Sequence, residues 1–303
     1  MHLYKDGEGV VVQAPAKVNL FFEVLGKRSD GFHEIETLVA PVGLYDSLFF
    51  HEIDDDRLQF SCSAVSGAWG AEASWVCDVP TGPENLVVRA VSLLRQESGV
   101  RNGARLRLVK RIPTAAGLGG GSSDAAAALW AANIVWRLRW SRDDIAQLGS
   151  RIGSDVPLFL AAGAAICRGR GERVEPVDGL GPLHVVLARP PAGLATAAVY
   201  GACRVGMPPR RVDDLLGALR RGDARGIRVG MFNRLEEAAR TLSPWIDRLR
   251  TVFAKTDCLA HQMSGSGTCY FGLCRHAGQA RRIARRLNMD GVGIALAVPQ
   301  SRG

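Results

Sequence analysis

The stretch Pro113-Thr114-Ala115-Ala116-Gly117-Leu118-Gly119-Gly120-Gly121-Ser122-Ser123-Asp124 places four glycines and two serines next to one another. Before it, Leu106, Leu108 and Ile112 alternate as in a strand, and after it a run of alanines and apolar residues up to Arg137 predicts a helix. Glycines let the backbone approach a ligand closely, and the free N–H groups at a helix start attract an anion. The segment therefore predicts a strand, a loop and a helix that hold a phosphate chain.

The common phosphate-binding loops do not match this segment. A P-loop needs a lysine directly after its glycines, and none follows here; a dinucleotide fingerprint needs a third glycine where Ser122 stands. The H-R-D and D-F-G triplets of protein kinases are also absent. A phosphate site of another class remains, in which Ser122 and Ser123 can donate hydrogen bonds or offer oxygen to a magnesium ion.

The bulk composition bounds the class of protein. A chain of 303 residues is long enough for two cores around one cleft. The formal charge of +8 suits phosphate ligands, but its arginines are scattered, which favours small anions or a solvated surface over nucleic acid. The seven cysteines are odd in number and lack metal-ligand spacing, so we expect reduced thiols. Neither a signal peptide nor a long apolar stretch is seen, which predicts a cytoplasmic protein without a membrane partner.

The rest of the chain reads as alternating strands and helices. Residues 63–78 have two tryptophans and little periodicity, so we expect a loop inserted between elements. The second half predicts an antiparallel sheet with helices, hence the α+β class. The predicted strands lie around 10–24, 47–60, 106–112, 184–188 and 292–298, and the predicted helices around 85–97, 122–137, 141–153, 213–219, 232–249 and 277–287.

Three segments together resemble the GHMP kinases. Pro113 to Ser123 matches the signature loop of that superfamily, Ala14 to Leu20 resembles its first motif, and Met263 to Cys269 resembles its third. These segments are spread over most of the chain. Two further segments, Arg28 to Ile35 and Gly153 to Phe159, the latter followed by a Gly-Arg-Gly-Glu sequence, are similar to the diphosphocytidyl-methylerythritol kinase branch.

The resemblance implies a ribosomal-protein-S5-like α/β domain at 1–180 and a ferredoxin-like domain at 181–303, with the active site in the cleft between them. It also implies ATP and Mg²⁺ as cofactors, and phosphorylation of the 2-hydroxyl of a cytidine diphosphate-linked methylerythritol as the reaction. The chain departs from the branch at Phe32, where tyrosine is common, and at Ala115 and Ala116, which replace glycines of some members. Oligomeric state is left open.

The resemblance also assigns roles to single residues. Asp155 is expected to be the catalytic base and Lys17 its neighbouring cation; without the resemblance, a helix cap and a surface lysine are the ordinary interpretations. Phe32 and Tyr200 are expected to stack on cytosine, with His33 at the base edge. The remaining predicted substrate contacts are Asn19, Thr196, Gly265 and Ser266. The predicted ATP contacts are Asn85, Leu86, Lys110, Pro113, Gly117, Leu118, Gly119, Gly120, Gly121, Ser122 and Ser123.

Three alternatives remain open at this stage. A kinase of the same fold acting on homoserine or mevalonate would lack the aromatic clamp around Phe32 and His33. A silent nucleotide-binding sensor would have no reason to keep both Lys17 and Asp155. A nucleic-acid binder would use the positive charge but would not need the glycine loop.

Overall fold

The computed structural model describes residues 1–65, 79–161, 163–291 and 293–301. From residue 66 onward, the insertion predicted at 63–78 lies outside this part of the chain. The strands in the described residues are β1 (His2–Asp6), β2 (Gly9–Lys27), β3 (His33–Ile53), β4 (Leu58–Ala64), β5 (Gly103–Lys110), β6 (Ala165–Gly169), β7 (Arg173–Pro176), β8 (His184–Arg189), β9 (Phe232–Asn233), β10 (Ala260–Met263), β11 (Tyr270–Cys274) and β12 (Ile294–Pro299). The helices there are α1 (Leu86–Ser98), α2 (Gly120–Val135), α3 (Arg142–Ser150), α4 (Val156–Leu160), α5 (Thr196–Ala202), α6 (Val212–Arg221), α7 (Ala224–Gly230), α8 (Leu235–Leu242), α9 (Pro244–Ala254) and α10 (Ala277–Met289).

The strands form two sheets. In the first, the order is β1-β2-β3-β5-β4; β6 and then β7 extend from β3, and the short β9 runs parallel to β2. The second sheet has the antiparallel order β10-β11-β8-β12. In the described residues the pairs β4–β5 and β2–β9 are parallel and the other strand pairs antiparallel, and such mostly antiparallel sheets with helices packed on them confirm the predicted α+β class. The division at residue 180 stays a prediction: the chain crosses between sheets from β7 to β8, yet β9 returns to the first sheet.

An irregularity in the pairing of β2 with β3 determines which side chains of β2 face the candidate site. Before the irregularity, Val12 and Ala14 pack against the helices α1 to α4; after it, Val18 and Leu20 pack toward the second sheet instead. The register with β3 shifts between Pro15 and Ala16, where Gly43 and Leu44 of β3 have no partner in β2, and beyond this irregularity the even-numbered side chains of β2 face the opposite side of the sheet. Lys17 and Asn19, which alternate with the inward-packed residues, therefore face the helix side.

Of the two helices beside the glycine loop, α1 begins where the sequence predicts, and α2 begins two residues earlier than predicted, at Gly120 instead of Ser122. Asn85 caps α1 by accepting a hydrogen bond from the N–H of Val87 at 2.8 Å, and Gly99 ends the helix in the left-handed conformation. α2 begins at the glycine loop, and its run of alanines is fully buried. Small side chains allow this helix to lie close to the first sheet, which holds its N-terminus at a fixed place.

The predicted helix over 232–249 is interrupted. Residues 232–233 form β9, and two separate helices follow, because Pro244 lacks an N–H for a continuous helix and begins α9 instead. The short helices α5 and α7 and the β6–β7 hairpin were not predicted. In each, the apolar periodicity extends over too few residues to be recognised.

Candidate active site

A cavity of about 1040 Å³ contains the glycine loop, the start of α4 and the third glycine-rich segment in its walls. All of the predicted site residues except Ser123 line it. These are Lys17, Asn19, Phe32, His33, Asn85, Leu86, Lys110, Pro113, Gly117, Leu118, Gly119, Gly120, Gly121, Ser122, Asp155, Thr196, Tyr200, Gly265 and Ser266. Segments spread over 250 residues of sequence therefore meet in one place, although their individual roles stay predictions.

The glycine loop is held from both sides. Leu118 accepts a backbone hydrogen bond from Lys17 at 3.0 Å, and Gly117 accepts one from the hydroxyl of Ser264 at 3.0 Å. A Cβ added to Gly117 would lie 2.0 Å from the carbonyl oxygen of Ser264, so only glycine allows this approach. Gly119 has φ 70° and precedes the first turn of α2. The loop thus presents the free N–H groups of a 16-residue helix to the cavity.

Ala115 carries the backbone strain of this loop. Its φ is 48°, in the left-handed region that glycine occupies freely and alanine does not. Such a conformation costs an alanine roughly 1–2 kcal/mol. Alanine in place of glycine at position 115 therefore preserves the loop conformation but lowers the free energy of unfolding slightly.

Lys17 is almost fully buried and is oriented by a chain of hydrogen bonds. Its ammonium donates to the Asn19 side-chain oxygen at 2.6 Å; the Asn19 amide donates to Thr37 at 2.9 Å, and the Thr37 hydroxyl donates to the Phe21 carbonyl at 2.6 Å. Burial lowers the pKa of Lys17, and the nearby Asp155 carboxylate opposes that shift. The surface-lysine interpretation is therefore wrong.

Asp155 precedes α4 but does not cap it. Its side chain makes no capping hydrogen bond, and the carboxylate contributes to the raised pKa of both Tyr200 and Cys167. Burial is the larger cause of those shifts and brings the Cys167 pKa to about 12, so this thiol stays neutral at physiological pH. The carboxylate therefore faces the cavity beside Lys17, where a hydroxyl can meet both groups.

Aromatic rings form the other end of the cavity. The rings of His33 and Tyr200 lie 5.1 Å apart at 31°, whereas Phe32 is half exposed and lies under the guanidinium of Arg170. Burial, helped by Lys27, lowers the pKa of His33, so its ring is neutral near pH 7 and carries one donor and one acceptor. Phe32 and Tyr200 both line the cavity, so their predicted stacking on cytosine stays a prediction; the ring that contacts Tyr200 at this end is His33.

The third glycine-rich segment, Met263 to Cys269, forms one wall of the site and is held by Asn233, a residue that the sequence did not indicate. The Asn233 amide donates to the carbonyls of Met263 and Gly265, both at 2.8 Å. The hydroxyls of Ser266 and Thr196 lie 2.9 Å apart. Neither Asn233 nor Thr37 stands in a recognisable motif, so only the tertiary contacts identify them.

Lys110 has two carboxylate partners beneath the glycine loop. Its ammonium donates to the Asp124 carboxylate at 2.6 Å and also to Asp46, and all three side chains are buried. Burial would lower the pKa of Lys110, but the two carboxylates raise it. Burial and Asp46 raise the pKa of Asp124, against the opposing effect of Lys110. The predicted adenosine contact of Lys110 is untested, and its charge is already neutralised by protein.

No cluster of three or more metal-ligating side chains occurs in the part of the chain described here. Two buried oxygens near the start of α2, Ser123 Oγ and Asp124 Oδ1, have no hydrogen-bond partner among the described residues. Unpaired oxygen atoms are suitable ligands for a hard cation such as magnesium. None of the described helices has the length and apolar character needed to cross a bilayer.

Comparison with known proteins identifies relatives over nearly the whole chain. Residues 85–163 match the family model of the GHMP kinases N terminal domain, and residues 215–292 match that of the GHMP kinases C terminal. A 4-diphosphocytidyl-2-C-methyl-D-erythritol kinase of Pelotomaculum thermopropionicum is 41% identical over 279 residues, which cover 91% of this chain and 93% of that protein. The enzyme of the same name from Bacillus cytotoxicus is 38% identical, covering 90% and 91%.

Solved structures agree with these sequence matches. A crystal structure of 4-(cytidine 5'-diphospho)-2C-methyl-D-erythritol kinase has a TM-score of 0.80 and 36% identity, covering 97% of this chain and all of that one. A homoserine kinase from Cytophaga hutchinsonii has a TM-score of 0.75 at 18% identity, covering 100% and 97%. The second likeness concerns the fold alone.

Proposed function

The chain belongs to the GHMP kinases, and within them to the 4-diphosphocytidyl-2-C-methyl-D-erythritol kinases; from this membership we propose that it transfers the γ-phosphoryl group of ATP to the 2-hydroxyl of 4-diphosphocytidyl-2-C-methyl-D-erythritol. That reaction belongs to the non-mevalonate route to isoprenoid precursors. One observation carries the proposal: a phosphate-binding helix start, the Lys17 and Asp155 pair, and an aromatic clamp line a single cavity.

ATP is placed by the glycine loop. Its phosphates would lie against the N–H groups at the start of α2, where the helix dipole favours negative charge. Asn85 and Leu86, at the start of α1, line the same end of the cavity and are positioned for the nucleoside. Ser122 lines the cavity and offers a hydroxyl oxygen to the phosphates or their metal ion, whereas the contact of the buried Ser123 stays a prediction.

Mg²⁺ would be held by hydroxyl or carboxylate oxygens at the start of α2. The unpaired Asp124 Oδ1, on a residue that lines the cavity, supports this assignment. The ion supplies charge neutralisation of the transferring phosphoryl group when it is bound. The protein contributes alignment and the remaining cations.

Asp155 and Lys17 serve the acceptor hydroxyl. Asp155 accepts the hydroxyl proton while the substrate oxygen forms a bond to the γ-phosphorus, the bond to the β,γ-bridging oxygen breaks, and ADP leaves. Lys17 stays close because Asn19 fixes its ammonium, and its positive charge stabilises the phosphoryl oxygens.

The cytidylyl end of the acceptor is assigned to the aromatic wall. His33 is neutral, so its ring can offer both a donor and an acceptor to the edge of cytosine, while Tyr200 and Phe32 offer ring faces. Thr196, Gly265 and Ser266 line the space between this wall and the loop and would contact the acceptor chain. The aromatic wall argues against a homoserine or mevalonate acceptor. We place the protein in the cytoplasm, where its nucleotide substrate is available.

An acceptor panel tests the proposal. ADP release is measured in a coupled assay with 4-diphosphocytidyl-2-C-methyl-D-erythritol, homoserine and mevalonate, each with and without magnesium. We expect turnover of the cytidylyl acceptor only, and its loss on chelation. Equal turnover of homoserine or mevalonate would overturn the acceptor assignment, and nucleotide binding without any turnover would favour a sensor.

A further inference from the structure

The β6–β7 hairpin brings a guanidinium into the cavity. Arg170 stands in its turn, lines the cavity, and has its Cζ 4.9 Å from the centre of the Phe32 ring. The next residue, Gly171, lies against Asp155, the proposed catalytic base: an added Cβ at Gly171 would be 3.4 Å from Asp155 Oδ1. This turn therefore contacts the aromatic wall on one side and the catalytic carboxylate on the other.

The charge of Arg170 is poorly matched within the described residues. Its ion pair there is with Glu172, at 3.9 Å from Nε, which is too long for a hydrogen bond. That Glu172 oxygen already accepts the backbone N–H of Arg170 at 2.7 Å. The neighbouring arginines of the hairpin differ, since Arg168 is paired with two glutamates and Arg173 with Glu34 at 2.6 Å.

The two buried lysines of the cavity are already hydrogen-bonded. Lys17 donates to Asn19, and Lys110 donates to two carboxylates. Lys27 is exposed at the outer edge beside His33. Arg170 is thus the cation between the aromatic wall and Asp155 whose N–H groups are left for a ligand.

We propose that Arg170 binds the diphosphate that joins cytidine to methylerythritol, an inference that rests on the proposed function. With cytosine at His33 and Tyr200 and the hydroxyl at Asp155, the diphosphate must span the distance between them, where Arg170 lies. The planar guanidinium matches pairs of phosphate oxygens, and its packing on Phe32 restricts its rotamers before binding. Homoserine and mevalonate carry no diphosphate, so this contact makes Arg170 a specificity-determining residue.

Binding of two ligands that differ only in the diphosphate tests this role. Titration calorimetry compares cytidine with cytidine 5'-diphosphate while a nonhydrolysable ATP analogue saturates the nucleotide site. Arg170→Gln is expected to weaken cytidine 5'-diphosphate about 10- to 100-fold and to leave cytidine unchanged. Arg173→Gln removes the same charge from the same hairpin at an exposed position outside the cavity, and is expected to leave both affinities unchanged.

Kinetics supply the second measurement. In Arg170→Gln we expect the KM for the cytidylyl acceptor to rise by a similar factor while the KM for ATP stays the same. Arg170→Met, which keeps the aliphatic stem on Phe32, should behave alike and covers a folding failure of the first variant. Equal losses for both ligands would overturn the proposal and assign Arg170 to the support of Phe32, and so would an unchanged affinity for cytidine 5'-diphosphate. A wild-type protein that binds neither ligand would instead overturn the proposed function.

Discussion

Replacing Lys110 by methionine tests whether the buried triad supports the glycine loop. The Lys110 ammonium is 2% exposed and is enclosed by Asp46 and Asp124. Methionine fills similar space, so the loss is electrostatic rather than a cavity. Asp46 keeps its hydrogen bonds from the backbone N–H groups of Arg111 and Ile112, whereas Asp124 loses its counter-charge. The cost therefore falls mainly on Asp124.

The expected magnitude follows from this burial. Removing one partner of a buried ion pair costs about 3–5 kcal/mol, because a charge is left without compensation. At about 2–4 °C per kcal/mol for chains of 150–250 residues, Tm should fall by roughly 6–20 °C. The full loss is expected above the raised pKa of Asp124, about 8, because below it the buried carboxyl is protonated and leaves no unpaired charge; stability is therefore compared above that pH.

Urea unfolding followed by circular dichroism measures the loss. Lys255→Met, at an exposed position, is the matched control and should change stability by less than about 0.5 kcal/mol. Adding Asp124→Asn to Lys110→Met should recover much of the stability by removing the unpaired charge. A Lys110→Met protein as stable as the wild type, or one not rescued by the second change, refutes the reasoning. A folded variant with a raised KM for ATP would support the adenosine contact instead.

Other substitutions test the chemistry and its supports. Asp155→Asn should lower kcat about 10²–10⁴-fold in steady-state assays with both KM values little changed, and near-normal kcat would exclude it as the base. Gly119→Ala should lower kcat as well as raise the KM for ATP, because an added Cβ lies 3.1 Å from Lys17 Cε; a change in neither would separate the loop from catalysis. His33→Ala should weaken the cytidylyl acceptor about 10-fold in calorimetry and spare ATP. Burial raises the pKa of Asp124 above its usual value of about 3.9, so between the two values the folded chain holds a proton that the unfolded chain has released. The free energy of unfolding therefore falls as the pH rises through this range. Asp124→Asn should flatten that slope when unfolding is measured at several pH values.

The sequence predicted those features that depend on neighbouring residues. The glycine loop before α2 and the capping box that opens α3 at Ser141 were predictable because a left-handed glycine or a capping side chain acts within one turn. The break at Pro244 was missed although the signal is local, since the apolar spacing continues across it and masked the proline. The roles of Asn233 and Thr37 depend on partners brought together by folding, and no local pattern marks them.

Local chemistry in the sequence was enough to determine a phosphate-binding helix start and the α+β class, and the three motifs together indicated the family. Tertiary structure decided which groups meet. The register shift after Pro15 leaves Lys17 on the helix side of the first sheet, where Asp155 lies directly before α4. Lys110, which the sequence predicts as an ATP contact, forms an ion pair with Asp46, 64 residues away along the chain. Arg170, in contrast to Lys110, has no close carboxylate partner among the described residues. The sequence cannot predict which arginine of the hairpin forms a close ion pair, because ion pairing depends on distances in space and not on separation along the chain.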